Sequence, residues 1–74
     1  MPQSPEIRSA MHAAYTAAAG FMKDRAVIAS LGAADYRVQW GHGGRHEIEA
    51  EIAEQFASEF AAWAALKAPT GITP

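Results

Sequence analysis

The chain of 74 residues contains no cysteine. Disulfide staples, thiolate zinc sites and thiol redox chemistry are therefore excluded. Lys and Arg number only six against eight Asp and Glu, for a net charge of −2. With no basic face on any helix, attraction to nucleic-acid phosphates is weak, so direct nucleic-acid binding is not expected. The apolar runs are far too short to span a bilayer, so no membrane role is expected either. The N-terminal stretch MPQSPEIRS has neither a basic n-region nor an apolar h-region. No secretory leader is read there, and a cytosolic protein is the expectation.

Half of the residues are hydrophobic, but eighteen are alanine. Alanine favours helix and contributes little buried area. A core this thin, in a domain this small, stabilises only weakly by itself. Association follows as an expectation: a homodimer, or docking on a larger protein. Charge is uneven, since residues 47–59 hold five glutamates and no base.

A first helix is signalled by Ser4 as N-cap, Pro5 at the first position and Glu6 at the positive dipole end. Ile7, Met11, Ala14, Ala18 and Phe21 recur at helical spacing. Arg25 interrupts that stripe. Over 24–40 the expectation is a short helix from Asp24 to Leu31, stopped by Gly32, and then an extended YRVQW. A β-hairpin of 26–30 with 36–40 is the alternative. The second long helix is the clearest element. Ile48, Ile52, Phe56, Phe60 and Trp63 form its expected core stripe, with Glu47, Glu51, Glu54 and Ser58 opposite. The fold class is thus mainly α: two long helices joined by a short helix and one extended segment, with a small hairpin (α+β) as the variant. The domain is expected over 1–67, with a flexible tail over 68–74.

WGHGGRHEIEAEIAEQF is the richest stretch for chemistry. Glycines before a helix N-terminus can cradle phosphate. Here Glu47, Glu49 and Glu51 would repel an anion, so a hinge with Gly44 as N-cap is the reading. His42 and His46 are separated by glycines, the HExxH pattern fails at Ala50, and the chain has no Glu-x-x-His unit. No metal and no cofactor are expected. None of the serines sits in a nucleophile-elbow context, and the glutamate row is solvated, so no enzyme is expected.

What remains is interaction. The candidate partner-binding residues are Trp40, His42, Arg45, Glu47, Glu51 and Glu54. Trp63 continues the core stripe, whereas Trp40 ends beside the glycine loop, and such aromatics are enriched at binding hot spots. Glu59 projects into the apolar sector. It is read either as a rim residue with its head in water or as an ion-pair partner of Arg8 or Arg25, within the chain or across an interface.

In its order of elements the chain resembles small phage head–tail joining proteins of the helix–hairpin–helix type. That resemblance is of architecture alone and implies a virion assembly subunit. As a small acidic domain without an enzyme signature it is also similar to phage-encoded inhibitors of bacterial defence, anti-CRISPR proteins among them. The expected function is a non-enzymatic protein that binds and blocks or bridges a protein partner. An acidic helix face suits a basic nucleic-acid-binding protein. A small dimeric transcriptional regulator is the further alternative.

Overall fold

The computed structural model describes residues 4–68. They form a helical hairpin of two elements, α1 (Pro5–Trp40) and α2 (Gly44–Leu66). The chain is mainly α, and the described residues contain no strand. At about 1.5 Å per residue, the 36 residues of α1 account for the 55 Å long axis of the molecule. The hairpin is a single layer of helix.

Ser4 caps α1 as its side chain suggests: its Oγ accepts from the Ile7 N–H at 3.2 Å. The helix then runs through Arg25 without a break. No proline falls between Pro5 and Pro69, and alanine holds much of the interval. The expected helix stop at Gly32 and the extended 36–40 segment are not formed, nor is the hairpin alternative. The stop comes at Gly41, whose φ of 81° is the left-handed conformation open to glycine. Its N–H donates to Arg37 O at 2.8 Å.

The reason for the difference lies in which residues face inward. Along α1 the covered line is Arg8, His12, Tyr15, Ala19, Met22, Ala26, Ala29, Ala33 and Tyr36, in alternating steps of four and three. Along α2 it is His46, Ala50, Ala53, Ala57, Phe60, Ala64 and Lys67, in the same alternation. This is the 3.5-residue repeat of a coiled coil, here antiparallel and filled mainly by alanine. Arg25 lies beside the line, not on it, and its head stays exposed.

Among the described residues the buried hydrophobics are Ala26, Ala33, Ala53, Ala57 and Ala64. The expected α2 stripe is helical, but most of it points outward: Ile48, Ile52, Phe56 and Trp63 are all exposed. Small side chains let the two backbones approach closely. Gly32 belongs to the same close approach, because a Cβ there would lie 3.0 Å from the His46 ring. At the turn, Gly43 rather than Gly44 is the N-cap of α2, so the helix begins one position earlier than expected. Gly44 has φ 59° and packs under the Tyr36 ring. The expected tail lies outside the described residues apart from Ala68.

Candidate interaction surface

A hairpin one layer thick has two broad faces. A groove lined by Met22, Arg25, Glu49, Ile52, Ala53 and Phe56 marks one of them. Seven-residue steps carry this face along both helices. From Phe21 they reach Ile7 and Ile28; from Phe56 they reach Trp63; from Ile52 they reach Leu66 through Glu59. All seven of these large apolar side chains are exposed, including Phe21 at 63%, Phe56 at 45% and Trp63 at 50%. Isolated exposed apolar residues are ordinary, but a contiguous row on one face marks an interaction site. Four charges sit among them. Arg25 and Glu49 line the groove, while Arg45 and Glu59 share the Ile52–Leu66 line.

The opposite face holds the larger groove, and its lining is mostly apolar. It runs between Ala19, Lys23, Val27 and Leu31 of α1 and Glu54, Ala57 and Ser58 of α2, with Val27 and Leu31 exposed. Small residues dominate both walls.

The residues singled out in the sequence fall into separate places. Trp40 and His42 meet at the turn around Tyr36, whose ring centroid lies 6.0 Å from Trp40 and 5.4 Å from His42. His46 completes that cluster at 5.8 Å. Glu47 reaches back to Arg37, with Nη2 to Oε2 at 3.3 Å. Glu51 and Glu54 continue along the polar side of α2, exposed to solvent. Arg45 belongs to the apolar face instead. The structure therefore divides the candidate set between the turn, the polar edge and the apolar face.

Arg8 has a different partner from the acid considered for it. Its Nη2 donates to Leu66 O at 2.9 Å and its Nε to Ala68 O at 3.4 Å. A cation at these carbonyls caps the negative end of α2. Beside it, His12 Nδ1 lies 2.8 Å from Ala64 O, so that nitrogen carries the proton and donates. Among the described residues, Arg25 and Glu59 form no ion pair within the chain; the one such pair is Arg37–Glu47.

Tyr15 and Phe60 are not among the partner-binding candidates, and Tyr36 counts in the sequence only as one of the large aromatics with Trp40 and Trp63. Tyr15 stacks on Phe60 at 6.4 Å and on Trp63 at 6.1 Å, locking the open end of the hairpin. Their signal was present: Arg8, Tyr15, Met22, Ala29 and Tyr36 are each seven apart. Among the described residues no group of three or more side chains is placed to hold a metal ion. No helix there is long and apolar enough to cross a membrane. No protein-family model, curated protein or solved structure matches the chain.

Proposed function

We propose that the protein is a non-enzymatic helical interaction module whose working surface is the apolar face of the hairpin. One observation carries the reading: the seam between the helices is filled by alanine, while Phe21, Ile52, Phe56 and Trp63 are turned outward. Large side chains that their own hairpin leaves about half exposed gain the rest of their burial only when another polypeptide covers them. The protein works by binding, and so by blocking or bridging what it binds. The polar edge with Glu51 and Glu54 supplies a second, electrostatic contact suited to a basic protein partner. That edge favours the inhibitor setting over direct contact with nucleic acid.

A photo-crosslinking amino acid placed at Phe56, with a second placement at Val38 on the outer side of α1, tests the reading in cells. Val38 is 87% exposed. Protein adducts from position 56 and none from position 38 are the expected result. Absence of adducts from position 56 overturns it.

A further inference from the structure

We propose that the occupant of the apolar face is a second copy of this chain, docked face to face as an antiparallel four-helix bundle. The two-fold axis runs between the copies, along the helices. This rests on the docking-face reading above and names the partner.

Charge argues for a copy. The face carries two basic groups, Arg25 and Arg45, and two acidic groups, Glu49 and Glu59. It has no net sign to select a basic or an acidic partner, yet it can complement itself. Area argues the same way. The seven outward side chains are each about half exposed, which leaves on the order of 700 Å² to cover. A standard interface covers about 800 Å² per partner.

Register fixes the orientation. Within one hairpin His12 is level with Ala64, Tyr15 with Phe60 and Trp63, Met22 with Ala53 and Phe56, and Gly32 with His46. A two-fold axis along the helices lays α1 of one copy over α2 of the other, antiparallel and at these same levels. Phe21 then meets Phe56 of the second copy, and Arg25 comes over Ile52 and within one turn of Glu49. Ala14 and Ala18 leave room for Trp63. Large meets small, and each Arg25 gains an acid. An axis across the helices would stack α1 on α1 instead and bring the two Arg25 side chains together.

Sedimentation velocity on the full chain tests the assembly. The expected species has twice the 7.9 kDa chain mass. Phe56→Glu and, separately, Phe21→Glu are expected to yield monomers that keep their helical circular dichroism, whereas Val38→Glu stays dimeric. Because the chain has no cysteine, single spin labels at Ala10→Cys and Ala17→Cys report the axis. Nearly equal inter-copy distances at the two sites are expected. A distance longer by roughly 10–20 Å at position 10 fits the crossed axis, given about 1.5 Å rise per residue, and overturns the proposed one. A dimer that dissociates with Val38→Glu but not with Phe56→Glu overturns the face. A wild-type monomer that binds an anilinonaphthalene sulfonate dye, with binding lost in Phe56→Glu, overturns the dimer and leaves the docking face standing. A wild-type monomer that binds no dye overturns both.

Discussion

Ile52 and Ala53 are neighbours in sequence and opposites in environment. Ala53 is 5% exposed in the seam, and Ile52 is 47% exposed beside the groove. The same inversion separates Phe56 from Ala57. In most small helical proteins the larger residue of such a pair faces the core. Here close approach of two backbones selects the methyl group, and the bulky side chain is left for another layer. The inner seam holds the hairpin's shape; the outer face carries seven of the twelve large apolar side chains exposed among the described residues.

The strongest way to break this comparison is to exchange the sizes. Ala53→Leu forces a larger side chain between closely packed backbones, a change that costs about 1–3 kcal/mol. Ile52→Ala removes a side chain that is about half exposed, and is expected to cost less, about 1 kcal/mol or below. Urea denaturation of both variants in a Phe56→Glu background separates the fold from self-association. If Ile52→Ala proves the more damaging of the two, the inverted seam is wrong.

Two glycines sharpen the contrast between the turn and the middle of α1. Gly44 holds φ 59°, and a Cβ there would stand 2.9 Å from Cε1 of Tyr36. Gly44→Ala is expected to cost about 1–2 kcal/mol from the left-handed backbone alone. Gly20 lies mid-helix with nothing within 4 Å of its added Cβ. Gly20→Ala is expected to stabilise by about 0.5–1 kcal/mol. Thermal melts of the two variants should move in opposite directions. A loss at Gly20 would show that α1 is not continuous there.

How much of this could be read from the residues follows from alanine. The helical nature of 44–66 was legible because Ile48, Ile52, Phe56 and Phe60 keep helical spacing wherever they point. The cap at Ser4 was legible because it is local chemistry. The course of 24–40 was not, because a stripe drawn through large residues runs into Arg25. The true line passes through Ala26, Ala29 and Ala33, and alanine carries little weight in a hydropathy pattern. YRVQW reads as strand alternation, yet Tyr36 and Trp40 are also one helical turn apart and share a face. Absence of proline from 6 to 68 was the better guide to a continuous helix. Trp40 and His42 do come together beside the glycines, around Tyr36. That Ile52, Phe56 and Trp63 are exposed was not legible, because helical spacing alone assigns them to the core.

The smallest effect concerns the polar edge. Arg37 and Glu47 form the ion pair that closes the turn side of the hairpin, at 3.3 Å with side chains 53% and 61% exposed. Water screens both heads, and holding two long side chains together costs rotamer entropy. Such pairs contribute about 0.2–1 kcal/mol, and this exposure places it at the low end. A double-mutant cycle with Arg37→Ala and Glu47→Ala is expected to give a coupling of a few tenths of a kcal/mol that fades at high salt. A salt-insensitive coupling above about 1 kcal/mol would mean that the edge is covered by something in solution. The polar side would then be an interface too, and the division between a wet edge and a docking face would fail. The expected weak coupling leaves the Glu47 carboxylate, with Glu51 and Glu54, exchangeable toward a basic partner, which is what the electrostatic contact proposed for this edge requires.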